Sequence, residues 1–391
     1  MKITWVNFLH FYQPATADDE TVIEATQRSY QRIISALLRN PKIKFTFNLT
    51  GCLLERWQAL GYQQLINQLK HLIARGQIEL VGSAAFHPIL PLLPPLEIIR
   101  NIKINQQILK KYFGPKLKLK GFFSPEAAYS PRLARLIKKI GYHWLIVDEI
   151  TAYGKLTKLS LSQKYFDKNS GLILCFRQRQ ISKSYVPQTL FKFIKAGQDK
   201  IVITATDAEL YGLRHADFRG NFEKLLKRPE INTLTVGRYL AKQKKIDKIV
   251  ARTSCWESTA KELAHELPFA LWYNPKNKIQ MLLWQLAYLA IKTVNHYQND
   301  QQYTWARQHL DRGLSSCTFW WASARDFKLF GTLSWNPDEI ERGVNELIRS
   351  IRSLTNPNTK ETKIKAEKLY LKIKKLVWHK HWTYYWPKIN L

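Results

Sequence analysis

Two carboxylates draw attention by where they fall. Glu126 lies in GFFSPEAAYSP (121–131), a run that opens like a strand and closes like the start of a helix. Asp207 lies in the strand-like run KIVITATDAEL (200–210), with Glu209 two residues on. His10 and Gln13 close a first such run, and His87 follows a third in FHP. An acid at each of two strand ends, with histidines at two more, is the set needed to cleave a glycosidic bond. One carboxylate attacks the sugar or activates water, and the other protonates the leaving oxygen. On an extended chain Asp207 and Glu209 face the same way. Glu209 is then placed to raise the proton affinity of Asp207 or to hold a sugar hydroxyl. The competing roles are structural. Glu126 suits the N-terminus of a helix, Asp207 can pair with Arg214, and both histidines can be satisfied in a core.

Elements must position these groups. Seven apolar, β-branched or aromatic runs read as strands: 3–11, 44–51, 78–85, 120–127, 143–149, 172–177 and 200–210. Helical periodicity fills several gaps, as in VIEATQRSYQRIISALLRN, GYQQLINQLKHLIARGQ and SPRLARLIKKIGY. The last opens on Ser-Pro and stops at Gly141. Strands alternating with such helices predict parallel βα units. Seven of them with no obvious edge predict a closed or nearly closed barrel, whose chemistry sits at the C-terminal ends of its strands. Beyond about residue 225 the texture turns helical. The expected organisation is therefore a barrel over 1–225 and a helical domain over 226–391, packed on the barrel and contributing to the cleft.

Bulk properties narrow the class. A hydrophobic fraction of 45% over 391 residues excludes general disorder. The four cysteines lie far apart with no CxxC pair, which argues against a zinc knuckle or redox dithiol and for a reduced compartment. Asn7, His10 and Gln13 interrupt any apolar leader, and the run IQMLLWQLAYLAI is too short to span a bilayer. The expectation is a cytoplasmic protein with no membrane partner. The formal charge of +31 raises nucleic acid as a partner. No recognition motif accompanies the charge, which is spread along the chain, so a lysine-rich solvated surface is the preferred account.

The chain resembles glycoside hydrolase family 57, whose members act on α-glucans. Five spaced motifs have counterparts here, in order: HFYQP (10–14), GQIELVGSAAFHPILPLLP (76–94), GFFSPEAAYSP (121–131), TDAELYG (206–212) and LSSCTFWWASA (314–324). Tyr12 stands where the family often has a second histidine, Phe123 where many members have tryptophan, and the fifth motif departs from the usual acidic pattern. The resemblance implies an incomplete (β/α)7 barrel followed by a helical region. It implies a retaining, α-amylase-like enzyme working through a glycosyl-enzyme intermediate, with Glu126 as nucleophile and Asp207 as general acid/base. His10, Gln13, Glu79, His87, Glu209, Trp256, Trp320 and Trp321 are the expected substrate-binding residues. The tryptophans qualify because aromatic faces suit the apolar C–H faces of sugars. No cofactor and no metal are called for. The expected partner is an α-glucan or another α-linked oligosaccharide, and the oligomeric state is left open.

Three other readings stand beside it. A transglycosylase, either a 4-α-glucanotransferase or a branching enzyme, would use the same residues with a sugar hydroxyl resolving the intermediate. A metal-dependent polysaccharide deacetylase would need an Asp-His-His set that the first strand does not offer. A catalytically inactive polyanion-binding protein would rest on the charge alone.

Overall fold

A computed structural model describes residues 2–197, 199–324 and 335–389, with the side chains of 388 and 389 excepted. The chain divides into two compact units. The first runs to Ala85 and resumes at Leu90–Pro268; the second comprises Phe86–Ile89 and everything from Phe269 on.

The first unit contains the strands β1 (Ile3–Phe11), β2 (Phe45–Leu49), β3 (Ile78–Leu80), β4 (Gly121–Phe123), β5 (Trp144–Asp148), β6 (Gln163–Asp167), β7 (Ile173–Arg177), β8 (Lys200–Asp207), β9 (Ile231–Leu234) and β10 (Lys245–Ile249). They form two five-stranded sheets. One has the order β3-β2-β1-β8, with β9 also on β1; the other has the order β10-β6-β7-β5-β4. Among the described residues two backbone joins connect the sheets. A parallel bridge pairs Gly82 with Phe122, and the Gln178 amide donates to the Ile203 carbonyl at 2.9 Å. Side-chain bonds from Ile203 N–H to Gln178 Oε1 at 3.0 Å and from Arg177 to the Ala205 carbonyl at 2.9 Å reinforce the second. The result is an incomplete ring of parallel strands, β1-β2-β3-β4-β5-β7-β8, which are the seven runs expected from sequence. Strands buried on both faces need continuous apolar sequence. FTFNL and WLIVD accordingly have no exposed position.

The division expected at 225/226 is corrected. β9 and β10 lie beyond it, yet β9 pairs with β1 over Ile3–Val6 and β10 with β6 over Gln163–Asp167, so both belong to the first unit. INTL is short and KIDKI is largely exposed and charged, so neither carries an alternation that marks a strand. The helix Val236–Lys242, N-capped by Thr235, follows β9. Its Val236, Tyr239 and Leu240 join Val6, Phe8, Val81, Phe123, Ile146 and Cys175 in the apolar fill of the ring.

The second unit is helical. Its long elements are Lys278–His296, Tyr303–Gly313, Pro337–Arg352 and Lys360–Lys380. Close approach of helices explains Gly343, where a Cβ would stand 2.3 Å from Thr318 Oγ1. Buried acids in this unit have partners: Asp311 pairs with Arg307 at 2.9 Å, and Glu346 Oε2 lies 2.9 Å from His309 Nδ1. Among the described residues no helix is long and apolar enough to cross a membrane.

Candidate active site

The C-terminal ends of the ring strands hold the polar groups. His10 on β1 stands in register with Asn48 of β2 and Asp207 of β8. Its Nδ1–H donates to Asn48 Oδ1 at 2.6 Å, and its ring lies 5.0 Å from Phe123 and 6.3 Å from Trp256. Burial lowers the His10 pKa, opposed by the nearby Asp207 charge. A neutral ring with its proton on Nδ1 presents Nε2 as an acceptor.

Glu126 follows β4 in a 3₁₀ turn, Pro125–Ala127, with φ 59° and ψ 20°. Ala127 also has positive φ, at 48°. Two consecutive left-handed residues without glycine cost on the order of 1–3 kcal/mol each, and such strain persists only where surroundings enforce it. Here they do. Trp256 N–H donates to the Glu126 carbonyl at 3.1 Å, and Trp256 Nε1–H donates to Glu126 Oε2 at 2.8 Å. The next helix, Pro131–Ile140, is started independently: Ser130 caps it by accepting from Leu133 N–H, and Gly141 ends it at φ 110°. Glu126 therefore lies ahead of the helix cap, and the helix-terminus role does not describe it.

Trp256 is itself clamped. Arg177, at the end of β7, places its guanidinium 4.7 Å from the indole centroid and donates to the Trp256 carbonyl at 3.3 Å. Arg177 also donates to the Ala205 carbonyl at 2.9 Å, and its charge is met by Asp148 at the end of β5, Nε to Oδ2 2.7 Å. Asp148 takes a second cation, Arg179, at 2.7 Å. The buried carboxylate thus faces two guanidiniums, and the set braces the segment carrying Trp256.

Asp207 pairs with Arg214, Oδ2 to Nη1 2.7 Å, as the structural alternative allowed. The shared-face expectation for Asp207 and Glu209 is corrected. β8 ends at Asp207, and Ala208–Leu210 coils into a 3₁₀ turn, so the period of two stops there. Glu209 is buried and accepts from Gln13 Nε2 at 2.9 Å and from the Tyr30 hydroxyl. Burial pushes its carboxyl up to about 7; Arg214 opposes the shift and Asp207 adds to it. Gln13 and Glu209 thus satisfy each other under the rim.

Of the remaining expected binding residues, Glu79 lies deeper in the first unit than His10. It is in register with Thr46, two residues before the His10–Asn48 level, where it accepts from Gly237 N–H at 2.8 Å and from Thr46 Oγ1 at 3.1 Å. It caps the helix inside the ring. His87 belongs to the second unit, with its Nδ1 2.8 Å from Ser316 Oγ. Trp320 and Trp321 belong to that unit too, edge to face at 4.6 Å. Trp256, 7% exposed, holds an acid and has little ring left for stacking a sugar. Asn48, Asp148, Arg177 and Arg179 were missed. The signal that singled out Asp207 was available for Asp148 and Arg177, since both close their strands.

Fold and site together describe a parallel βα ring with carboxylates at its C-terminal rim. The model for glycosyl hydrolase family 57 matches residues 7–252, and the chain belongs to that family. It is 26% identical over 227 residues to alpha-amylase 1 of Dictyoglomus thermophilum, covering 55% of this chain and 32% of the relative. The solved 4-alpha-glucanotransferase of Thermococcus litoralis superposes with a TM-score of 0.73 at 18% identity, covering 90% of this chain and 58% of that one. A branching enzyme of Thermococcus kodakaraensis superposes with a TM-score of 0.67 at 14% identity, covering 95% of each. The chain spans about a third to two-fifths of the length of the curated relatives it matches first. Among the described residues no group of three or more His, Cys, Asp or Glu is arranged to hold a metal ion.

Proposed function

We infer that this chain cleaves α-glucosidic bonds with retention of configuration, Glu126 acting as nucleophile and Asp207 as general acid/base. The observation that carries the reading is the fixing of Glu126 in left-handed backbone by both the amide and the indole of Trp256. A residue held so firmly at a strain cost suits attack on one carbon from one direction. In the first step a Glu126 oxygen bonds to the anomeric carbon as the glycosidic C–O bond breaks, and Asp207 gives its proton to the departing oxygen. The second step reverses the roles: Asp207 takes the proton of the incoming hydroxyl, whose oxygen displaces Glu126. Arg214, 2.7 Å from Asp207, stabilises the carboxylate left after proton donation. His10, kept toward its neutral form by burial and with Nδ1 engaged by Asn48, suits a sugar hydroxyl. The names of the relatives, alpha-amylase and 4-alpha-glucanotransferase, support α-glucan as substrate and leave the acceptor, water or sugar, to experiment.

The test uses maltooligosaccharides and amylose with the wild type, Glu126→Ala and Asp207→Ala. The wild type should form products whose anomeric configuration, followed by NMR, is initially retained. Both variants should lose at least about a thousandfold in kcat. Azide should rescue them with opposite outcomes: an inverted glycosyl azide from Glu126→Ala and a retained one from Asp207→Ala. Inversion by the wild type, or turnover surviving both substitutions, would sink the assignment. Longer products would identify transfer.

A further inference from the structure

Beyond the rim, the first unit has a second concavity of about 730 Å³, between the helix Val186–Lys195 and the loop after Arg214. Lys192, Lys195, Arg219 and Lys224 line it, together with His215 and Phe218. Among the described residues none of these four cations makes an ion pair. The one acid in the lining, Asp217, is already spent: its side chain is 1% exposed, 2.8 Å from Arg32, and it accepts from the Tyr185 hydroxyl at 2.7 Å and from the Asn221 and Phe222 amides at 3.0 Å. These bonds hold its carboxyl far below the usual carboxylate range, against the pull of burial. They also pin the loop, so the concavity is preformed. Phe218 is 96% exposed beside these cations, and His215 is stacked on Tyr185 at 3.9 Å.

We propose that this concavity binds a phosphomonoester carried on a ring, a sugar phosphate or a nucleoside monophosphate, with the phosphate among Lys192, Lys195, Arg219 and Lys224 and the ring against Phe218. A phosphomonoester carries about −1.5 to −2 charges at neutral pH and accepts through three oxygens, which matches clustered cationic donors. Concave walls of one sign concentrate such an anion beyond what scattered surface lysines achieve. The exposed ring gives the site its preference for an organic phosphate over the bare ion, because the apolar face of a sugar or base covers it. The evenly spread charge of the chain does not explain this spot, where the one carboxylate of the described lining is engaged by Arg32, Tyr185 and two amides, Arg32 being shared with Glu223, and an aromatic ring stands uncovered beside the cations.

Calorimetric titration of the whole chain with glucose 6-phosphate, AMP and inorganic phosphate tests this. The expected result is saturable binding of at least one organic phosphate, weakened about tenfold or more by Lys192→Glu with Arg219→Glu and by raising salt from about 0.05 to 0.3 M. Phe218→Ala should weaken the organic phosphate severalfold and leave inorganic phosphate unchanged. Cleavage of maltooligosaccharides should be unaltered in all these variants, which also shows that they fold. Glucose 6-phosphate binding alone would identify a sugar phosphate, and AMP alone a nucleotide. The proposal falls if no organic phosphate saturates, if the charge-reversed variant binds as the wild type does, or if inorganic phosphate binds equally well and Phe218→Ala changes nothing.

Discussion

The indole N–H of Trp256 donates to Oε2 of Glu126 at 2.8 Å, across 130 residues of chain. The same residue's amide donates to the Glu126 carbonyl at 3.1 Å. One residue thus fixes both the backbone and the carboxylate of the proposed nucleophile. Trp256→Phe removes the side-chain bond to Glu126 together with the pyrrole half of the buried indole, while the backbone N–H stays. A hydrogen bond to a charged group is worth about 1.5–3 kcal/mol. The expected outcome is a kcat lowered about 10- to 100-fold with little change in KM, and a Tm lowered by the lost packing. An unchanged kcat would mean that the carboxylate is aligned by other contacts.

Arg177 supports Trp256 from behind, and its charge is balanced by Asp148. Arg177→Met would leave Asp148 buried with Arg179 as its remaining cation. Breaking one side of a buried pair costs about 3–5 kcal/mol, less whatever Arg179 recovers. Urea unfolding should show the midpoint falling by that order. Asp148→Asn together with Arg177→Met should cost less than the sum of the two single changes.

Glu209 should leave a mark on stability against pH. Its folded carboxyl is raised from 4.5 to about 7, chiefly by burial. A raised folded value means that the native state binds the proton more tightly than the unfolded chain does. The stabilisation is therefore full below about 4.5 and is lost as pH rises to about 7, with a slope of up to about 1.4 kcal/mol per pH unit. Glu209→Gln keeps an oxygen for Gln13 and Tyr30 and should flatten that stretch of the profile. Denaturation midpoints at pH 5, 6, 7 and 8 would test it, and an unaltered slope would refute it.

Glu79 should behave as a structural acid. It caps the helix Val236–Lys242 through Gly237 N–H, below the level of His10, and burial raises its pKa. Glu79→Ala removes the acceptor and should lower stability by about 1–2 kcal/mol, by analogy with a lost helix cap. KM for maltooligosaccharides should not change. A raised KM at undiminished Tm would return Glu79 to the substrate site.

The ring was legible in sequence because its seven strands are buried on both faces and so are written as apolar runs. β9 and β10 escaped for the opposite reason: one is four residues long and the other is a largely exposed, charge-rich edge. Among site residues, His10, Glu126 and Asp207 were readable from their positions at strand ends. The fates of Glu79, Gln13 and Glu209 were not. Each depends on a partner far along the chain, at Gly237, Glu209 and Tyr30, and spacing says nothing about such partners. The two-residue rule failed at Glu209 because a strand's period ends with the strand. That His87 belongs to the second unit was not legible either, because only four residues, Phe86–Ile89, leave the first unit there.

The two backbone joins between the sheets acquire a further meaning from what each sheet carries. His10, Asn48 and Asp207 ride on the half-shell built around β1; Glu126, Asp148 and Arg177 ride on the half-shell built around β5 and β7. The proposed nucleophile and the proposed acid/base are therefore carried by different sheets, whose backbones meet at Gly82–Phe122 and Gln178–Ile203. Apolar side chains of both sheets meet in one core, so the gap between the carboxylates depends on that packing as well as on the two backbone seams. Amide exchange at Gly82, Phe123 and Gln178, whose N–H groups close the two seams, would report how far the shells part.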